Sequence, residues 1–288
     1  MRPRTLSASV APVLVGTAAV LPDAFDPFRL LLALAGSMAI QAGTNMLNEH
    51  FDHVQGLDLT RERRADMVVQ TGQLGHGALL RGGVAAMAAG AVCGLLLVAM
   101  TGPVLLVVGA LSVLAGVAYT AKPIALGYRA LGEVTVFIFM GPVIVLGAAF
   151  VQVERWSTEA LLLSVPVGML VTAILHVNNI RDMADDRANG KRTLANLLGR
   201  SAATAEYRLL TLGSYVVLAA ISLTGAVPWP ALLALLTLPI AVRLAGMVRE
   251  GSGVGALDRV MVTTAKLHLR FSTLVALGLA LNFIADEF

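Results

Sequence analysis

Apolar residues run along this chain in stretches of membrane-spanning length, separated by short polar connections. A span needs about 20 mostly apolar residues, and nine stretches qualify, at roughly 6–22, 28–52, 81–100, 102–120, 130–152, 158–182, 204–225, 229–248 and 264–285. Thr101-Gly102-Pro103 alone separates the third from the fourth and reads as a tight turn. The first stretch is short and carries Pro12, which makes it the weakest of the nine. Two spans end in polar faces. At the end of the second, Asn45, Asn48, Glu49 and Asp52 recur at i, i+3, i+4 and i+7, which places them on one helical face at about 100° per residue. Asp58 follows after Gly56, where the helix is predicted to end. At the end of the sixth, Asn178, Asp182, Asp185 and Asp186 share a face by the same logic. The two motif-bearing spans point the same way, four spans apart. This predicts an all-α polytopic membrane bundle in one domain over 1–288, with two similar four-helix halves and a ninth helix added.

Composition agrees with the bilayer. The chain is 57% hydrophobic and only 14% charged, whereas soluble domains are about 25% charged. The net charge of +3 could suggest nucleic acid in a soluble protein. Here the basic residues sit in short loops between apolar runs and report membrane topology instead. With the N-terminus inside, every one of the 21 basic residues except Arg29 and Arg155 falls on the cytoplasmic side. A missed or invented span would destroy that asymmetry. The opening Met1-Arg2-Pro3-Arg4 is read as the flank of a retained first helix, not of a cleaved signal. Cys93, the only cysteine, lies in an apolar run and is expected to pack as a small hydrophobe. Two long polar connections, 53–80 and 183–203, follow directly on the acidic helix ends, so the chemistry is expected on the cytoplasmic side.

Facing carboxylates repel unless cations lie between them. Oxygen ligands from Asp, Glu and Asn suit a hard ion, and Mg²⁺ fits best when it is shared with a phosphate substrate. No cysteine cluster and no histidine pair at ligand spacing points to zinc. Lys122, Arg129, Arg181, Lys191 and Arg192 lie alongside the motifs. Two acidic clusters, Mg²⁺ and a ring of cations together describe a diphosphate site. Other readings stay open. Asp58, Glu62, Asp66 and Asp185 read equally well as solvated acids at headgroup level. Intramembrane acids could also serve a cation-coupled transporter. His50, His53, His76 and His268 are expected to be surface or interfacial, while His176 could face the cavity. Glu133 is either functional or paired with Arg129. Tyr119 could be an interfacial anchor, and Lys122 could simply obey the positive-inside pattern.

These residues resemble a known family. Asn45-x-x-Asn48-Glu49-x-x-Asp52-x-x-x-Gly56-x-Asp58 is similar to the first aspartate-rich motif of the UbiA superfamily of intramembrane aromatic prenyltransferases. Asn178-Asn179-x-Arg181-Asp182-x-x-x-Asp186-x-x-x-Gly190-Lys191-x-Thr193 is similar to the second, in the form found in the naphthoate-using branch. Arg2 to Leu6, Ala11 to Gly16, Val69 to Gly72, Tyr119-Thr120 and Leu126 to Glu133 agree with that branch. The resemblance runs from residue 2 to about 200, and beyond it only helices are legible. It implies that Asn48, Glu49, Asp52, Asp182 and Asp186 hold Mg²⁺, with Asp52, Asp182, Lys122 and Arg181 central to catalysis. It implies further that Asn45, Asn48, Tyr119, Arg129, Glu133, Asn178 and Lys191 bind substrate. The implied reaction transfers a polyprenyl group from its diphosphate to 1,4-dihydroxy-2-naphthoate with loss of CO₂. 4-Hydroxybenzoate or homogentisate are the alternative acceptors. Two positions depart from the family pattern: Glu49 stands where Asp is usual, and Lys122 follows Tyr119 by three residues where four is common.

Overall fold

The computed structural model describes residues 6–54, 75–250 and 253–287. Asp58 and the basic residues Arg61, Arg63 and Arg64, with most of the 53–80 connection, lie outside the described residues. So do residues 1–5 and the 69–72 stretch. Among the described residues the chain is helical and contains the nine expected apolar helices. They are α1 (Ser7–Ala18), α2 (Pro27–Val54), α3 (His76–Thr101), α4 (Val104–Ala118), α5 (Gly132–Val153), α6 (Thr158–Arg181), α8 (Leu194–Leu223), α9 and α10 (Val254–Glu287). The ninth element, α9, begins as a 3₁₀ segment over Trp229–Thr237 and continues as an α-helix over Leu238–Glu250. A short helix, α7 (Met183–Ala188), lies between α6 and α8.

Seven of the nine are long and apolar enough to cross a membrane. The exceptions are α1 and α4, with 12 and 15 residues, about 18 and 22 Å at 1.5 Å per residue against a hydrocarbon core of about 30 Å. The short α1 is nonetheless the strut of the bundle. Ala11, Val13 and Val15 are buried, and the helix packs on α2, α5, α6 and α10. Burial inside protein removes the need to match the bilayer, and the same contacts accommodate Pro12. The long helix most enclosed by its neighbours is α6, with 72% of its apolar window buried against 22% for α3. Leu163, Val167, Leu170, Ala173 and Val177 of α6 form the core with Tyr207, Leu244 and Phe271. Large side chains such as Leu31, Val107, Leu114, Leu209 and Val216 stand exposed on the outer surface, as a lipid-facing bundle requires.

Apolar burial gives little driving force between helices in lipid, so close packing must supply it. Small residues let the backbones approach. Gly43 and Gly83 face each other across α2 and α3, and Gly36 packs on Cys93, in keeping with a small packing role for that cysteine. In α5 the helix widens into a π-turn over Phe139–Val143, where Pro142 removes a backbone donor. The turn between α3 and α4 is built on Gly102, at φ 98.

The expected 183–203 loop is mostly helical. Asp182 closes α6 at φ −94, ψ 6, and the chain re-enters a helix at Met183. Only 189–193 is non-helical before Thr193 accepts from the amide of Asn196 and starts α8. Gly199 (φ 77) then turns that first stretch into the long helix. Two histidines also differ from expectation. His50 is buried, and His268 is wholly enclosed in the middle of α10.

Arg29 and Arg155, the two exceptions to the charge asymmetry, are both engaged at the opposite end of the bundle from the motifs. Arg29 donates to the carbonyls of Val151 and Met100 and pairs with Glu154, which satisfies carbonyls at the ends of α5 and α3. Arg155 pairs with Asp23 at 2.6 Å. Two close approaches make a test of the packing. A Cβ at Gly16 would lie 2.1 Å from the carbonyl oxygen of Val145, and one at Gly278 would lie 2.0 Å from that of Pro230. Gly16→Leu and Gly278→Leu should each destabilise the bundle by about 1–3 kcal/mol or more, read as a lower unfolding midpoint in detergent. Gly94→Ala, which meets nothing within 4 Å, should be neutral.

Candidate functional site

A cavity of about 940 Å³ opens between α2 and α6. Its mouth is polar and its depth apolar. The far end is lined by Leu32, Leu97, Leu105 and Val151, which pack with Phe150 into a separate apolar cluster. Phe139, Met140 and Val143 of the π-turn form part of one wall. At the mouth the structure brings together both motifs: Asn45, Asn48, Glu49 and Asp52 from α2, and Asn178 and Asp182 from α6. Tyr119 and Lys191 line it as well. Tyr119 is therefore a cavity residue and not a lipid-interface anchor.

Five expected site residues lie off the lining. Lys122 is exposed on the connection after α4. Arg129 is exposed and donates to the carbonyl of Pro123 at 2.7 Å. Glu133 is buried behind the wall and pairs with His176 and Asn179, not with Arg129. His176 is likewise fully buried and does not face the cavity. Asp186 is enclosed, with Lys191 Nζ at 3.7 Å. Arg181 is turned into the protein, its side chain only 3% exposed.

Arg181 is spent on holding the second motif. Its Nε and Nη2 donate to the two carboxylate oxygens of Asp182 at 2.7 and 2.9 Å. Nη2 also donates to Asn178 Oδ1 at 2.6 Å, and Nη1 donates to Asp258. The planar guanidinium fork matches a carboxylate in this way, and a lysine cannot. The first motif is held comparably. Tyr128 donates to Asp52, and Thr120 donates to Asn48 Oδ1. Lys191 lies 5.2 Å from the centroid of the Tyr128 ring, so Tyr128 touches both halves of the site. Its loop is clasped by backbone bonds from Ala130 N to Arg192 O and from Arg192 N to Tyr128 O. Ala130, held by the first of those bonds, and Ala125 are left-handed, at φ 57 and 43, a conformation that non-glycine residues adopt only when their surroundings impose it.

Asp258 was not legible as a site residue. It lines the cavity from the first turns of α10, in the third of the chain where only helices could be read. The available signal was its isolation as the one acid between 251 and 285. Thr120 and Tyr128 fall in stretches that resemble the naphthoate-using branch, but nothing in the sequence pointed to Asn48 and Asp52 as their partners, because those contacts are tertiary.

Among the described residues, the charged ones lining the cavity are Glu49, Asp52, Asp182 and Asp258 against Lys191. Among the described residues, no three His, Cys, Asp or Glu side chains gather tightly enough to hold one ion. The donors are split between two walls. Asn48, Glu49 and Asp52 stand on α2, with Asp182 opposite on α6. This hard, all-oxygen donor set fits a divalent cation whose coordination is completed by a phosphate substrate and water. Asp186, the fifth residue implied to hold Mg²⁺, stands off this lining, with Lys191 Nζ 3.7 Å from its Oδ1.

The sequence profile of the UbiA prenyltransferase family matches residues 9–254. The chain is 35% identical to the 1,4-dihydroxy-2-naphthoate octaprenyltransferase of Mycobacterium tuberculosis, over 97% of this chain and 94% of that protein. It is 32% identical to the Escherichia coli protein of the same name, over 98% and 94%. Among solved structures it is similar to the apo UbiA homolog from Aeropyrum pernix K1, with a TM-score of 0.73 and 19% identity over 98% of this chain and 99% of that one. It is also similar to the UbiA homolog from Archaeoglobus fulgidus bound to GPP and Mg²⁺, with a TM-score of 0.67 and 13% identity over 95% and 97%. At those identities the structures speak for the fold alone.

Breaking a buried ion pair from one side strands its partner and costs about 3–5 kcal/mol, whereas a half-exposed pair is worth about 1 kcal/mol or less. Arg181→Met should therefore destabilise the protein far more than Asp258→Asn, whose side chain is 43% exposed. Unfolding midpoints of the two variants in the same detergent check the order, and equal losses would contradict it.

Proposed function

The chain belongs to the UbiA prenyltransferase family, and we propose that it transfers a polyprenyl group from polyprenyl diphosphate to 1,4-dihydroxy-2-naphthoate, a step of menaquinone biosynthesis. The observation that carries this reading is the polarity of the cavity, an acid-lined mouth above an apolar chamber. Among the described residues Lys191 is the one cation on the lining, so a diphosphate beside Glu49, Asp52, Asp182 and Asp258 needs divalent cations to come with it. The full-length identity to proteins named for this acceptor supports the naphthoate over 4-hydroxybenzoate or homogentisate.

Bound Mg²⁺ supplies the positive charge that stabilises the departing diphosphate. Asn48, Glu49 and Asp52 would hold it on one wall, with Asp182 on the other. Lys191, which lines the cavity, takes the part that the sequence assigns to Lys122. Arg181 acts on the substrate only through Asp182 and Asn178, by fixing their orientation. Tyr128 fixes Asp52 in the same way. The allylic carbon–oxygen bond breaks, and diphosphate leaves with the electron pair. The apolar chamber keeps water from the allylic cation. The ring carbon bearing the carboxylate forms the new carbon–carbon bond, and that carboxylate is lost as CO₂. The mouth faces the cytoplasm, following the basic residues near the motif ends.

Purified protein with Mg²⁺, a polyprenyl diphosphate and the naphthoate should release diphosphate and CO₂ together, and a chelator should abolish both. Asp52→Ala and Asp182→Ala should each lower turnover by at least about 100-fold while leaving membrane insertion intact. Diphosphate release with none of a panel of aromatic acids would overturn the reading.

A further inference from the structure

Two adjacent asparagines line the cavity with their amides fixed in opposite senses. Asn178 is tied through its carbonyl, which accepts from Arg181. Asn179 is tied through its amide nitrogen, which donates to Glu133 Oε1 at 2.9 Å. The reverse orientation of Asn179 would set a carbonyl oxygen against a carboxylate. Asn178 thus offers a bound molecule its N–H donors, and Asn179 offers a carbonyl acceptor.

The support behind Asn179 is more elaborate than packing requires. Glu133 Oε1 also meets His176 Nδ1 at 3.1 Å. His176 Nε2 meets the carbonyl of Ala203 at 2.9 Å, with Glu206 Oε2 at 3.6 Å. Both ring nitrogens face groups that only accept, so an ionised Glu133 is matched by an imidazolium. Glu133 and His176 are 3% and 0% exposed, and Glu133 Oε2 has no hydrogen-bond partner among the described residues. A charged pair enclosed at this depth is costly to keep, and a hydrophobic pair of similar volume would hold the helices equally well. The charged pair hydrogen-bonds to the lining through Asn179.

We propose that Asn179 takes the ring hydroxyl of the aromatic acceptor through its Oδ1, and that Glu133 and His176 are positioning residues that hold it in that sense. The proposal rests on the aromatic-acceptor reading above. A hydroxyl donates to this carbonyl, whereas the acceptor's carboxylate would be repelled by it and is directed toward the Asn178 side. Asn179 therefore contributes to choosing a hydroxylated acceptor and to setting which ring carbon faces the prenyl group.

The experiment separates the two substrates. Asn179→Ala and Asn179→Ser should raise KM for the naphthoate about tenfold and leave KM for the polyprenyl diphosphate unchanged. Glu133→Ala should give the same acceptor-selective loss, and Glu133→Gln, which still offers an oxygen to Asn179, should restore most of it. A Glu133 that only supports the fold would affect both substrates alike. One measurement needs no variant. The two monomethyl ethers of the naphthoate, as competitive inhibitors of the wild-type protein, should differ, with one bound about tenfold more weakly than the other. That difference should vanish in Asn179→Ala. Equal inhibition by both ethers in the wild type, or a shift of both KM values together in Asn179→Ala, overturns the proposal and leaves the enzyme reading standing. Failure of the wild type to prenylate any aromatic acceptor overturns the enzyme reading itself.

Discussion

An ionised side chain at the end of an apolar helix is tolerable only when an opposite charge or a set of hydrogen bonds meets it, and this requirement organises the molecule. Arg181 is the clearest case. One guanidinium, almost wholly enclosed, closes on Asp182, Asn178 and Asp258 and so ties the end of α6 to the start of α10. Without it, Asp182 would face Asp258 across the mouth with no intervening cation. Glu133 with His176, Asp186 with Lys191 and Asp52 with Tyr128 answer the same demand elsewhere. Arg181 with Asp258, Glu133 with His176 and Asp52 with Tyr128 join segments distant in sequence, so the polar network that serves the site also fastens the helices there.

The network explains the division of labour between mouth and depth. Arg181 is already engaged with Asp182 and Asp258, and the described lining of the mouth is acidic overall. Such a surface takes up hard cations and, with them, a phosphate-bearing ligand. Below it the lining turns to Leu, Val, Ile, Phe and Gly, where small residues let α2 and α3 approach and the π-turn of α5 shapes the opposite wall. The short α1 holds these parts together from inside the bundle. Its burial there frees it from the length that lipid contact would impose.

Much of this was readable in the order of residues. The bilayer demands long apolar runs, so the nine helices announced themselves. The 3.6-residue period put Asn45, Asn48, Glu49 and Asp52 on one face, and all four line the cavity. Asn178 and Asp182 did likewise, although the helix breaks at Asp182, so the shared face did not extend to Asp186. Charge type was legible and charge partner was not. Arg181 and Lys122 looked like equal candidates for meeting a diphosphate. One is locked behind the wall and the other stands on the surface, while Lys191 occupies the lining. His268 looked interfacial by type, yet the turn of α10 that carries it is packed inside the bundle.

The sequence by itself determined the class of fold, the number and order of its apolar helices, the two acidic motifs and the family. These depend on local hydrophobicity and helical period, which neighbouring residues impose regardless of the rest of the chain. Only the tertiary structure decided which side chains reach the cavity, that Asp258 belongs to the mouth, and that Glu133 and His176 stand behind Asn179. Those outcomes depend on how helices far apart in sequence rotate and pack against one another. In a low-dielectric interior, that packing fixes which acid meets which base.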